Sequence, residues 1–298
     1  MLLLEEAIRT AVTQYGQQII PLEAFSLDKD TIQQDMFLPA LREYQEYFPN
    51  VKTKTITAGV EGGSDIVMHI PDCIGSPLSL RFGGYPNVPP LNSNYNKPDW
   101  SWDFQNKTIH TVMGGGPWIV TYAANYTVGM AKVYQTYQTL KDEDEVSFKL
   151  RGEFKGKSLT ITRKKDQLSM KVVDIYTKDG LTYGELEGSL GAGRICLNDL
   201  RCNLELDSTR DDELVIEYMS KYKAVQELSF QNQEFIIWFA SKLLPSIGSL
   251  KLMTQLEGIP FNISLDDLRT RGLELVNQVE TDLKVQKQEF YSWTGNKY

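Results

Sequence analysis

Few residues in this chain combine the type and the spacing that catalysis or metal binding requires. The two histidines, His69 and His110, lie in separate strand-like runs, and neither has a Cys, His, Asp or Glu at ligand spacing. Cys73, Cys196 and Cys202 are odd in number and form no Cys-x-x-Cys pair, which argues against a disulfide framework or a zinc site. We therefore expect no metal and no cofactor, and we interpret both histidines as structural.

Three further motif types are incomplete or absent in this sequence. The stretch GSLGAGR at 188–194 has glycines but no Gly-Lys-Ser/Thr, and it does not lie between a strand and a helix. The acidic run DEDE at 142–145 lacks the glycine and the later glutamate of an EF-hand. No Gly-x-Ser-x-Gly elbow is present. We interpret the acidic run as a solvated turn before a β unit, and nothing here indicates an enzyme.

The charge balance limits the partners of the protein. The net charge is −8, whereas affinity for duplex DNA comes from neutralising phosphates, so we expect DNA only as a passing, weakly contacted cargo. We interpret the basic run at 162–165 as the end of a hairpin. No apolar run approaches the ~20 residues that cross a membrane, and the early acids Glu5 and Glu6 do not fit a signal peptide.

Hydrophobic periodicity predicts an α+β fold. We expect an antiparallel β-rich core, sandwich- or barrel-like, with N-terminal helices and two long C-terminal helices. The second N-terminal helix is expected to start at Asp28 or Asp30, to kink or break at Pro39, and to stop at Pro49. The predicted domains are a helical segment at 1–50, a β domain with a Pro/Asn-rich loop at 51–140, an inserted or second β module at 141–225, and C-terminal helices with an aromatic tail at 226–298.

Aromatic residues in loops and in the tail are the clearest candidates for contact with partners. Loops as long as the one at 81–99 are usually functional or touch another chain. Tyrosine and tryptophan are enriched at protein interfaces because their rings are apolar and end in a polar group. The interface candidates are Tyr85, Tyr95, Trp100, Phe290, Tyr291, Trp293 and Tyr298.

The order of several soft motifs is similar to that of a known family. An acidic cap at Asp30 precedes an Ala-Leu-x-x-Tyr-x-x-Tyr helix at 40–47, and DWSWDFQNKTIHT precedes WIVTYAANY. An apolar helix at 235–247 leads to an Ile-Pro turn at 259–260, a long charged helix through about Lys284 and a hydrophobic tail. Over residues 1–50, 98–128 and 230–298 the chain resembles the neck (head-completion or head–tail connector) proteins of contractile-tailed bacteriophages.

The resemblance implies a structural virion protein without catalysis. Copies would form a cyclic ring, six- or twelve-fold, in the neck of a virion assembled in the host cytoplasm. The portal protein and a tail-terminator or second neck protein would be the neighbours, and the terminal helix and tail would reach a neighbouring subunit. The segment from about 140 to 225 departs from the simplest members of the family and looks like an added β module.

Two alternatives remain open at this point. A baseplate or tail-completion protein could use the same β-plus-helix plan. A carbohydrate-binding or hydrolytic β protein could use Trp100, Trp102 and Trp118 as a platform for sugar rings. Strand alternation places Trp100, Trp102 and Phe104 on one face, which fits either a platform or a packed sheet.

Overall fold

The computed structural model describes residues 1–15, 28–58, 66–82, 100–111, 116–139, 145–206, 212–247, 270, 272–279 and 281. These residues fall into two compact units, one from Met1–Arg42 with Thr127–Asp282 and one that includes Glu43–Tyr126. Along the chain, the smaller unit therefore interrupts the larger one. The α+β class and the antiparallel sheets agree with the sequence-based expectation.

The N-terminal helices contain wide turns. Helix α1 (Leu4–Thr10) continues into a π-helical segment, Ala11–Tyr15, while α2 (Lys29–Thr31) leads through a second one, Ile32–Phe37, into α3 (Leu38–Tyr47). The predicted start is confirmed at Asp28, whose side chain accepts hydrogen bonds from the backbone of Asp30 and Thr31. The wide turn ends where α3 begins, one residue before Pro39, which lacks an N–H for the helical ladder.

Two three-stranded sheets form the smaller unit. Their strands are β1 (Asn50–Ala58), β2 (Ile66–His69), β3 (Ser79–Phe82), β4 (Ser101–Asp103), β5 (Thr108–Thr111) and β6 (Gly116–Ala124). The orders are β1-β6-β3 and β2-β5-β4, with every pairing antiparallel. Trp118 and Ile109 are fully buried in the core of this unit, so each sheet contributes a side chain to it.

The larger unit contains a nearly closed, barrel-like sheet of eight strands. The chain enters it through β7 (Val128–Gly129). Its strands are β8 (Lys132–Gln138), β9 (Glu145–Lys149), β10 (Thr160–Arg163), β11 (Ser169–Lys178), β12 (Leu181–Gly188), β13 (Gly191–Cys196), β14 (Arg201–Leu206) and β15 (Glu213–Met219). The order is β8-β15-β10-β11-β12-β13-β14-β9, and alternate side chains fill the interior. The barrel decides between the two architectures that the sequence left open.

A side chain bridges the two edge strands of the barrel. The amide of Gln135 in β8 donates to the carbonyl of Lys149 at 2.8 Å and accepts from the backbone N–H of Arg151 at 3.2 Å. The rings of Tyr137 and Phe148 stack beside it, with centroids 5.1 Å apart. Gln135 thus makes the kind of bonds that a continuous backbone ladder would make at this seam.

The sequence-based strands of the barrel are largely confirmed, with two differences. The alternating runs from Glu145 to Met219 form strands, but β12 was not foreseen because Gly184 and two glutamates interrupt its apolar pattern. Strand β8 pairs with β15, so it belongs to the barrel and not to the β domain that we expected to extend to residue 140.

A short two-stranded pair and helix α4 also belong to the larger unit. Strand β16 (Ala224–Val225) pairs with β7, and Leu2 exchanges two backbone hydrogen bonds with Val225. Helix α4 (Gln233–Ile247) packs Phe235 and Phe239 edge-on against Phe37.

The expectation of two long C-terminal helices is not borne out. Helix α4 is long, and it runs two residues past Pro245. Of the second stretch, residues 270, 272–279 and 281 are helical, and the rest of it lies outside the described residues. Gly272 is required there because a Cβ would lie 2.5 Å from the ring of Pro245, and Val279 is buried.

Candidate contact surface

The two histidines lie on neighbouring antiparallel strands, β2 and β5. The Nε2 atom of His110 lies 3.0 Å from the hydroxyl of Thr108, while the side chain of His69 is exposed and its carbonyl accepts from Lys54. Within the described residues, no group of three or more His, Cys, Asp or Glu side chains could hold a metal ion. In the same part of the chain, no helix has the length and apolar character needed to cross a membrane.

The GSLGAGR stretch forms the hairpin between β12 and β13. A Cβ on Gly188 would collide with the carbonyl of Ser169, and a Cβ on Gly193 would lie 2.6 Å from the carbonyl of Asn203. Gly191 adopts a φ of +140°, a backbone conformation that residues other than glycine rarely adopt. Close backbone packing therefore explains these glycines. Of the DEDE run, only Glu145 is described, at the start of β9.

Each basic side chain of the 162–165 run lies close to an acid. Arg163 donates to both carboxylate oxygens of Asp166, at 3.0 and 2.6 Å, and Lys164 pairs with Glu213 at 2.7 Å. Lys165 lies 3.9 Å from the buried carboxylate of Asp212. Because the positive charge is locally compensated, this hairpin end offers little attraction for phosphates.

The tryptophans do not form an open platform. Trp100 is 6% exposed and Trp118 is 0% exposed, both within the core of the smaller unit. Trp102 packs against the same core and donates its indole N–H to the carbonyl of Gly75 at 3.0 Å. Phe104 is 61% exposed, in the turn after β4, so it is not packed with the two tryptophans before it. These rings stabilise a sheet and are not available for stacking on a sugar.

One predicted interface residue therefore requires a correction. Trp100 fills the core, so its ring cannot contact a partner, although its place next to a loop suggested that role. The remaining six candidates, Tyr85, Tyr95, Phe290, Tyr291, Trp293 and Tyr298, lie outside the described residues.

A sheet face with a single charged residue is the strongest contact surface in the described part of the chain. Register places Thr53 opposite Thr121, and Thr55 opposite Ile119, on the face that points away from the buried Trp118. Val51, at the end of this face, is 54% exposed. The exposed or half-buried residues of this threonine face are Val51, Thr53, Thr55, Thr57, Ser79, Arg81, Pro117, Ile119 and Thr121. Arg81 is the only charged residue among them.

The composition of the threonine face is unusual for a surface that faces water. Charged residues make up 23% of the whole chain, and solvent-facing surfaces usually carry a larger share. Depletion of charge is instead typical of the centre of a protein interface. The sequence contained a signal for the threonine face, because in VKTKTIT the lysines and the threonines alternate and therefore lie on opposite sides of the strand.

A cluster of partly buried charges lies at the rim of the barrel. Arg151 forms a bidentate pair with Glu6, with distances of 2.7 and 3.1 Å, and the same carboxylate accepts from the backbone N–H of Leu3. Burial would raise the pKa of Glu153, but Lys29 and Lys221 hold it below its ordinary value. The cluster attaches the N-terminal residues to the loop after β9, and we interpret it as structural.

Comparison with known proteins finds no relative. No protein family, no curated protein and no solved structure matches this chain.

Proposed function

We propose that this protein is a structural, non-catalytic virion protein that forms a ring in the neck of a contractile-tailed bacteriophage and connects the portal to the tail. The family resemblance in residues 1–50, 98–128 and 230–298 is the starting point. The structural observation that carries the proposal is the threonine face, because a face almost without charge suits burial against another chain.

The size of the threonine face is consistent with one part of a larger contact. Strands about 4.8 Å apart and residues about 3.3 Å apart give the face an area on the order of 400 Å². A stable interface buries roughly 800 Å² per partner, so this face supplies about half of what is needed. The aromatic residues predicted at 81–99 and 287–298 are the natural source of the remainder.

The partner that fits this face best is a neighbouring copy of the chain. A closed ring requires two different patches on each copy, since its contacts are heterologous. The threonine face would be one patch, and the aromatic loop or tail of the next copy would be the other. Portal and tail-terminator proteins would then contact the two rims of the ring, and DNA would pass through it with weak contact.

A baseplate or tail-completion role remains the second candidate, because it uses the same type of contact. The carbohydrate-binding alternative loses its basis, since the rings of Trp100 and Trp118 are buried.

The proposal is tested by introducing a charge into the threonine face. Thr55→Glu places a carboxylate at an exposed position opposite Ile119, where it leaves the protomer folded but becomes buried without a partner in the ring. We expect the ring population, measured by native mass spectrometry and electron microscopy of the purified protein with portal and tail-terminator candidates, to fall by roughly tenfold or more.

Thr136→Glu is the matched control. Thr136 is also an exposed strand threonine, on the outer side of the barrel opposite Val215, so it introduces the same charge away from the proposed contact. Rings that form equally well with Thr55→Glu would exclude the threonine face as the contact. A wild-type protein that stays monomeric and binds no virion protein would refute the neck function itself.

A further inference from the structure

The side chain of Glu5 is buried at the point where the N-terminal residues meet the barrel. It is 4% exposed, and its Oε1 accepts a hydrogen bond from the backbone N–H of Glu153 at 2.8 Å. Its other oxygen packs against Gly152, because a Cβ there would lie only 2.8 Å from Oε2. A carboxylate in such a place has lost most of its water and gains few donors in return.

Charged and titratable groups approach Glu5 from every element around it. Glu6, its neighbour in α1, forms a bidentate pair with Arg151. The positive charge of Arg151 is therefore already compensated. Lys29 of α2 and Lys221 after β15 both pair with Glu153, on the loop that faces Glu5. These neighbouring groups are Glu6, Lys29, Arg151, Glu153, Tyr218 and Lys221.

Within this set, each described cation is already paired with another carboxylate. Lys29 favours the charged form of Glu5, but Glu153 opposes it and competes for the same ammonium. The phenol oxygen of Tyr218 accepts a hydrogen bond from the backbone N–H of Gly152. Burial is the largest influence, and it raises the pKa of Glu5 from 4.5 to about 7.

The segment that carries Glu5 closes the barrel at this end. Leu3 is a member of the barrel core, and Leu2 exchanges two backbone hydrogen bonds with Val225 at 2.8 and 2.9 Å. Movement of residues 1–6 away from the rim would therefore expose apolar side chains and bring Glu5 into water. We call residues 1–6 the N-terminal latch.

We infer that the N-terminal latch is a pH-sensitive device, which is held on the barrel rim while Glu5 carries a proton and loosens when that proton is lost. Ionisation puts an unpaired carboxylate next to Glu153 in a dry site, and opening relieves this by hydrating it. This inference is independent of the proposed neck function, since it concerns only the attachment of the N-terminus to the barrel.

The direction of the pH effect follows from linkage. Because the pKa in the closed state, about 7, lies above the ordinary 4.5, the contribution of Glu5 to closure is full below pH 4.5. This contribution is lost as the pH rises toward 7, and above pH 7 the contribution of Glu5 to closure changes little further. We expect the equilibrium constant for opening to rise on the order of 100-fold between pH 5 and pH 8.

Hydrogen exchange of single amides tests the inference. The amide protons of Val225 and Glu153 are protected by Leu2 and Glu5, so they report on the latch. The amide of Leu197, which follows β13 and bonds to the carbonyl of Thr182 in β12, is the internal reference. After correction for intrinsic exchange rates, the protection of the two latch amides should fall between pH 5 and pH 8, relative to that of Leu197.

Two variants make the test specific. Glu5→Gln should keep the latch closed at both pH values and abolish the response, whereas Glu185→Gln, at an exposed position on β12, should leave the response unchanged. Equal protection of the wild-type latch amides at pH 5 and pH 8 would overturn the inference, as would an unchanged response in Glu5→Gln. If Glu5→Gln does not fold, carbon NMR titration of the wild-type carboxyl decides: a midpoint near 7 supports the inference, and one below 5 refutes it.

Discussion

At the scale of single residues, burial separates the charges that stabilise this protein from those that do not. Glu6 and Arg151 are largely shielded from water and share two short hydrogen bonds, so removal of one leaves the other without compensation. The pair between Lys164 and Glu213 is exposed, and such pairs contribute little. The sequence alone did not indicate which of these pairs is shielded from water, because it shows 39 acidic residues without their surroundings.

Arg151→Ala tests this distinction. We expect a loss of about 2–3 kcal/mol in the free energy of unfolding, measured by urea unfolding followed by circular dichroism, since Glu6 keeps its charge in a nearly dry site. Lys164→Ala is the matched control, and we expect no measurable change. A loss for Arg151→Ala that is no larger than that of the control would contradict the assignment.

At the scale of elements, alternation in the sequence predicted most strands of the barrel but not its closure. The interior positions follow from period two, because side chains point alternately to the two faces of a strand. At the seam between the edge strands β8 and β9, the amide of Gln135 bonds to the backbone of Lys149 and Arg151. These partners are 14 and 16 residues away along the chain, and no local pattern identifies them.

The glycines in the hairpin between β12 and β13 also depend on partners that no local sequence pattern identifies. The sequence argued against a phosphate-binding loop at Gly188, Gly191 and Gly193, but it did not show why glycine is needed at these positions. Neighbouring strands decide the matter, since the backbone of Ser169 and Met170 occupies the space where a side chain at Gly188 would lie.

Gly188→Ala should destabilise the barrel. A Cβ there would collide with the carbonyl of Ser169 and lie 2.6 Å from the Cα of Met170, so we expect a loss of about 1–3 kcal/mol in the free energy of unfolding. Gly129→Ala is the control, because a Cβ at that position has no atom within 4 Å. Comparable thermal midpoints for the two variants would show that the hairpin tolerates the added methyl group.

At the scale of the whole molecule, the proposal of a ring rests on surfaces that come from different parts of the chain. The threonine face supplies a nearly uncharged area, and the aromatic residues Phe290, Tyr291 and Trp293 are expected to supply an anchor. Either one alone is smaller than a stable interface requires, which fits an assembly in which each copy uses both.

Deletion of residues 287–298 tests the tail. We expect the truncated protein to be folded by circular dichroism but excluded from virions, because the anchor rings are lost. The control replaces Asn296 and Lys297 with serine and keeps all the rings, so its incorporation, measured by mass spectrometry of purified particles, should be normal. Normal incorporation of the truncated protein would count heavily against the docking role of the tail.

The sequence by itself determined the α+β class, most of the strands and the start of the second helical segment at Asp28. These features depend on short-range periodicity and local capping, which neighbouring residues control. Only the tertiary structure decided that the sheet is barrel-like and nearly closed, that Trp100 and Trp118 are buried, and that Glu5 lies in a site that favours its proton. Each of these depends on residues that are distant in the chain and adjacent in space, because burial and hydration belong to the packed molecule and not to any segment of it.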